Sequence, residues 1–234
     1  MTGVGQSLEA LAGRYGLDHE QQGQLRALLD VLASEDRAPT SVLASEHALD
    51  VHVADSLVAL ELDALQGARR LADIGSGAGV PGAVLAVALR DCEVSLVESH
   101  QGRCVFLREL LRRAHVGNAG VVCARVEEWG EGMGRNDVVS ARALAAQPVV
   151  LEYAAPLLRV GGVLVDWRGR RDEAEERAAE RAAEQLGLAR VALLHVNPYA
   201  GALYRHLHVF EKIEPTPERF PRRVGVARKR PLGG

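Results

Sequence analysis

The stretch Leu71 to Gly82, LADIGSGAGVPG, limits this chain's fold more than any other. An apolar run carrying one carboxylate, Asp73, leads into Gly75, Gly77, Gly79 and Gly82. Such a run bounded by glycine reads as a buried parallel strand. The glycines let the backbone turn sharply and approach a ligand closely, because no Cβ blocks either. A helical pattern, Ala83 to Leu89, follows, and its first turn presents free N–H groups. Strand, glycine turn and helix together describe a site for a nucleotide-type ligand.

The kind of nucleotide depends on detail. A triphosphate loop needs Lys followed by Ser or Thr after its last glycine, and this chain has neither there. Gly77 to Gly82 matches the dinucleotide fingerprint G-x-G-x-x-G, which leaves NAD open. Asp73, Gly75, Gly77 and Gly79 also form D-x-G-x-G-x-G, which resembles motif I of class I S-adenosyl-L-methionine-dependent methyltransferases. The next strand, CEVSLV, ends in Glu98, whose carboxylate can accept both hydroxyls of a ribose in either ligand.

From Arg70 onward strand and helix patterns alternate, as in an α/β fold whose mostly parallel sheet carries helices on both faces. Strands are expected near 70–74, 93–97, 119–123, 136–140, 162–166, 189–196 and 204–212, the last two forming an antiparallel pair at the sheet edge. Helices are expected near 81–90, 100–114, 147–158 and 171–186. The first 66 residues read as a helical lead-in: two helices within 6–34, a break at 35–44 around Pro39, and a helix from about Glu46 to Leu62. The division is then a lead-in over 1–66, a methyltransferase-type domain over 67–213 and a basic tail over 214–234.

Composition excludes several classes. At 234 residues, with 47% hydrophobic and 25% charged residues, the chain can close a core without metals or disulfides. Cys92, Cys104 and Cys123 form no C-x-x-C pair and read as reduced, buried thiols of a cytoplasmic protein without a metal site. Neither a membrane-length apolar run nor a secretory pattern is present. Net charge is −3, yet Arg219, Arg222, Arg223, Arg228, Lys229 and Arg230 crowd the tail. Such a cluster is either a footprint for nucleic-acid phosphates or a solvated terminus.

Other strand ends supply the remaining candidates. After the third strand, Val126 can pack on an adenine and Glu127 accept from its amino group; the same acids equally suit a helix N-terminus. After the fourth, Arg142 can grip a phosphate or donate to the O6/N7 edge of guanine, or be a structural surface arginine. Trp167, closing the fifth, either stacks a base or belongs to the core.

HVADSL (52–57), LADIGSGAGVPG (71–82), GRCVFLREL (102–110), ARVEEW (124–129), VVSARAL (138–144) and RFPRRVGVARKRPL (219–232) occur in that order along the chain. In these stretches it resembles the bacterial small-subunit ribosomal RNA guanine-N7 methyltransferases of the RsmG (GidB) family. The resemblance implies methyl transfer from S-adenosyl-L-methionine, leaving S-adenosyl-L-homocysteine, to the guanine-527 equivalent of 16S rRNA. The expected partner is 16S rRNA in the 30S subunit or an assembly intermediate, and a monomer without a metal is expected. It implies cofactor contacts at Gly75, Val80, Val126, Glu127 and Arg142; the glycine motif adds Asp73, Gly77 and Gly79, and fold-level analogy adds Glu98. Arg142 orients the substrate, and Arg168 joins the tail cations in binding RNA. Two departures stand out: EDRAPTSV replaces an Asn-rich W-N-x-x-x-N-L-T segment, and Arg168 replaces a lysine. A small-molecule methyltransferase and a non-catalytic S-adenosyl-L-methionine- or NAD-binding module are the competing classes.

Overall fold

The computed structural model describes residues 7–34 and 46–234. The lead-in begins with α1 (Leu8–Tyr15) and α2 (His19–Ser34). Asp18 and Gln21 form a reciprocal cap at the start of α2: each backbone N–H donates to the other's side chain at 3.0 Å. Gln21 Nε2 then reaches across to the Val87 carbonyl at 2.8 Å, tying α2 to the helix that follows the glycine loop. The expected break at 35–44 lies outside the described residues.

The single helix expected over 46–62 is not uniform. It runs as α3 (Glu46–Ala48), a π-helical turn (Leu49–Ala54), α4 (Asp55–Leu57) and a 3-10 turn (Val58–Glu61). The Asp55 N–H bonds the Asp50 carbonyl, five residues back. Such a widened turn redirects carbonyls and side chains away from their α-helical positions.

The sheet follows as β1 (Arg70–Ile74), α5 (Gly82–Ala88), β2 (Glu93–Glu98), α6 (Gln101–Arg113), β3 (Ala119–Cys123), β4 (Asn136–Arg142), α7 (Gln147–Ala154), β5 (Leu158–Arg168), α8 (Glu173–Leu186), β6 (Leu188–His195) and β7 (His206–Lys212). A short α9 (Val226–Lys229) lies in the tail. Strand order is β3-β2-β1-β4-β5-β7-β6. β7 runs antiparallel to both neighbours, so it alone is reversed and β6 resumes the common direction. This is the class I S-adenosyl-L-methionine-dependent methyltransferase arrangement, a Rossmann-like sheet. Its parallel strands end together at Ile74, Glu98, Cys123, Arg142 and Arg168, where open α/β sheets bind ligands.

Two apolar clusters flank the sheet. One joins Leu25 and Leu28 of α2, Leu57 of the lead-in, α5 and α6. The other joins α7, α8, Phe210 and the tail residues Phe220 and Ala227. Lead-in and tail both therefore contribute to the cores on which the sheet rests. α8 is capped by Asp172 and ended by Gly187 in the left-handed region, and it buries Ala179, Ala182, Ala183 and Leu186 in the second cluster.

The expectation of three reduced thiols does not hold. α6 packs on β3 and brings Cys104 to Cys123, with Cα atoms 5.8 Å apart, and the two form a disulfide. Cys92 alone is free, and it is buried. Spacing along the chain concealed the pairing, because the contact depends on how the helix packs on the sheet.

His208, opposite Asp166 in the β5–β7 ladder, is 2% exposed, and burial pulls its pKa down to about 4. An unfolded-chain histidine titrates near 6.5, so below that pH the unfolded state takes up a proton that the folded state refuses. Stability from this residue is thus present above about pH 6.5 and lost as pH falls towards 4. His208→Gln should retain about 1–2 kcal/mol more of its neutral-pH stability at pH 5 than the parent does. Urea unfolding at pH 7.5 and pH 5 checks this; equal losses in both proteins would refute it.

Candidate active site

Motif I forms the floor of the site. Gly75, with φ at +70°, starts the turn, and its N–H and that of Ser76 donate to the Val97 carbonyl at 2.8 and 3.2 Å. A Cβ on Gly75 would lie 2.4 Å from Leu144 Cδ1. Gly79, at φ +89°, lies under Leu110, whose Cδ2 would sit 2.6 Å from an added Cβ. The loop therefore needs glycine for both backbone shape and close approach.

Asp73 lies beneath this loop. It is 1% exposed, its Oδ1 accepts from Ser140 Oγ at 2.7 Å, and burial raises its pKa. Its Oδ2 would sit 2.7 Å from a Cβ on Gly82 and has no hydrogen-bond partner among the described residues. In this arrangement Asp73 ties β1 to β4 under the glycine turn. Val80 is likewise buried in the loop, at 8% exposure.

The mouth of the site is a cavity of about 300 Å³ at the ends of β1, β2, β3 and β4. Gly75, Glu98, Val126, Glu127, Leu144 and Arg228 are among its lining. Glu98 is 5% exposed; its carboxylate accepts the Gly77 N–H at 3.2 Å and the His100 N–H at 2.8 Å. It thus fastens the glycine loop to the start of α6 while lining the cavity. Tyr153 of α7 also lines the cavity, and burial, followed by the charge of Glu127, raises its pKa. Ala143 adopts φ +54°, an uncommon conformation for a non-glycine residue, directly after Arg142.

Arg142 stands beside this cavity, outside its lining. Its Nη1 donates to Asp55 Oδ2 at 2.8 Å and to the Val51 carbonyl at 2.9 Å, both from the lead-in. Asp55 is fully buried and also faces Arg205 Nε at 3.3 Å. Its own carbonyl accepts the Trp167 indole N–H at 2.8 Å. The widened turn at 49–54 supplies the Val51 carbonyl, so the lead-in presents a charged and a neutral acceptor to one guanidinium. Among the described residues no group of three or more His, Cys, Asp or Glu could hold a metal ion.

A family model described as "rRNA small subunit methyltransferase G" (GidB) matches residues 21–204. The relative from Syntrophomonas wolfei, named "Ribosomal RNA small subunit methyltransferase G", is 40% identical over 79% of this chain and 86% of its own length. The chain belongs to the rRNA small subunit methyltransferase G family. The Rubrobacter xylanophilus protein of the same name is 42% identical over 78% of this chain and 72% of its own length. A solved S-adenosyl-L-methionine-dependent methyltransferase from Aquifex aeolicus shares the fold, with a TM-score of 0.56 at 13% identity over 72% of this chain and 94% of that one.

Within this family member, the structure shows the surroundings of three further candidates. Trp167 is 4% exposed and belongs to the core, so it presents no face for base stacking. Arg168 is drawn inward: Nη2 pairs with Glu175, Nη1 donates to the Ala145 carbonyl at 2.8 Å and Nε lies 3.7 Å from buried Asp166. Arg222 pairs through Nε with buried Glu152 at 2.7 Å. Each of these arginines pairs with a carboxylate of its own chain. Arg219, Arg223, Arg228, Lys229 and Arg230 are exposed. Asp55, Tyr153, Leu144 and Arg205 were not singled out as site residues; HVADSL contains Asp55 and VVSARAL contains Leu144, and the other two became visible only through their contacts.

Proposed function

We propose that this family member transfers a methyl group from S-adenosyl-L-methionine to N7 of a guanine in 16S rRNA, at the guanine-527 equivalent. The observation that carries this reading is the cavity at the strand ends, with Arg142 held by Asp55 at its edge. The cavity's residues suit the cofactor. Gly75 leaves room that a Cβ would fill, Glu98 offers a buried carboxylate for the ribose hydroxyls, and Val126 and Glu127 suit the adenine. When bound, S-adenosyl-L-methionine supplies an electrophilic methyl on a sulfonium; the N7 lone pair takes it, and the C–S bonding pair stays on sulfur in S-adenosyl-L-homocysteine.

Guanine N7 is unprotonated, so no side chain has to remove a proton before attack. The chain's contribution is placement, which can supply roughly 7–11 kcal/mol at best. Arg142, oriented by Asp55 and Val51, has the fork geometry to donate to guanine. Arg219, Arg223, Lys229 and Arg230 supply positive charge for phosphates, making RNA binding sensitive to salt. The protein acts as a cytoplasmic monomer on the 30S subunit or its assembly intermediate.

The test uses 16S rRNA and 30S particles from a strain lacking this protein, incubated with methyl-labelled S-adenosyl-L-methionine. Label is expected in rRNA, at N7 of one guanine by mass mapping. Label confined to protein or to small molecules would refute the reading.

A further inference from the structure

The tail is built into the molecule. Arg222 Nη2 pairs with Glu152, 1% exposed on α7, and also donates to the Arg230 carbonyl at 2.9 Å, closing a loop around α9. Phe220 and Ala227 are buried in the same apolar cluster as Val126 and Tyr153. Two contacts then reach the cavity itself. The Gly225 N–H donates to Glu127 Oε1 at 3.1 Å, and Arg228 Nη2 donates to the Leu144 carbonyl at 3.2 Å. Arg228 consequently shares the cavity lining with Glu127, Tyr153 and Leu144, more than eighty residues away in sequence from Glu127 and Leu144.

We propose that the C-terminal turn, Gly225 to Arg230, is a wall of the cofactor cavity, and that Arg228 is a further residue contacting the adenosine half of the cofactor. This rests on the cofactor reading given above. Three features support it. Glu98, Val126 and Glu127, the groups suited to ribose and adenine, line the same cavity as Arg228. A planar guanidinium beside them can stack on a purine ring or donate to its nitrogens. A carboxylate has about four acceptor sites, so Glu127 can hold Gly225 and still accept from an adenine amino group. The tail cations are thereby divided. Arg222 fastens the turn and Arg228 faces the cavity, while Arg219, Arg223, Lys229 and Arg230 are exposed around them.

Calorimetry with S-adenosyl-L-homocysteine and with adenosine, each added to the full-length protein, tests this. Arg228→Ala should weaken both ligands by about tenfold, the scale of one charge-assisted contact. Arg228→Lys should recover part of the loss, and Arg177→Ala, which removes an exposed cation on α8, should leave both affinities within twofold of the parent. Matching thermal melts would show that the turn is still docked. If Arg228→Ala binds S-adenosyl-L-homocysteine as the parent does, or weakens it while leaving adenosine unchanged, the inference fails. If the parent itself binds neither ligand, the cofactor reading fails instead.

Discussion

Asp55→Ala should be the most destabilising single change at this site. Asp55 is fully buried and faces two arginines, Arg142 at 2.8 Å and Arg205 at 3.3 Å. Removing one member of such a group leaves the others without compensation in a poorly solvated place, at a cost of about 3–5 kcal/mol. For a chain of this size that corresponds to roughly a 10 °C fall in melting temperature. Arg142 loses its charged acceptor and keeps only the Val51 carbonyl, so its guanidinium no longer has a fixed plane. Misplacement of about 1 Å costs on the order of 100-fold in rate. Asp55→Asn should lie between, because one amide oxygen can still accept from Arg142 while the negative charge is gone. Calorimetric melts and initial rates of rRNA methylation measure the two effects. A melting temperature within 2 °C or so of the parent for the alanine variant would remove Asp55 from the account.

The same residue shows what the sequence exposed and what it hid. All seven strands stand close to their predicted positions; the central ones, buried on both faces, are continuous apolar runs. The glycine loop, Glu98 and Val126–Glu127 were legible because each is local: a strand end followed by a turn. HVADSL was visible as a motif, but nothing local indicated that Asp55 pairs with Arg142, 87 positions later. Charge pairing across that distance is decided by topology. Arg168 and Arg222 illustrate the converse. The family resemblance for Arg168 and the tail clustering for Arg222 suggested phosphate binding, and neither showed that the fold supplies Glu175 and Glu152 as partners. The widened turn at 49–54 was equally hidden, since its residues carry an ordinary helical pattern and only docking of Arg142 gives the altered carbonyl a use.

Gly75→Val should abolish cofactor binding while leaving the protein folded. The backbone there sits at φ +70°, where an L-residue costs about 1–2 kcal/mol and a β-branched one more. The larger effect is steric. An added Cβ would lie 2.4 Å from Leu144 Cδ1, and Leu144 lines the cavity. The valine branches must therefore either occupy the cavity themselves or drive Leu144 into it, in a space of about 300 Å³. Leu144 is only half-buried, so the clash can relax without reaching the apolar core, and the fold should survive. Affinity for S-adenosyl-L-homocysteine is expected to fall by more than about 100-fold, roughly 2.7 kcal/mol. Gly82→Ala gives the contrasting case. Its Cβ would meet Leu96 Cδ2 at 2.4 Å and Asp73 Cβ at 2.6 Å, between β1 and α5, where overpacking costs about 1–3 kcal/mol of stability. One glycine of the loop thus guards the ligand's space and the other guards the packing beneath it. Calorimetry and circular dichroism on both variants separate the roles: a folded Gly75→Val protein that binds within twofold of the parent would place the cofactor elsewhere.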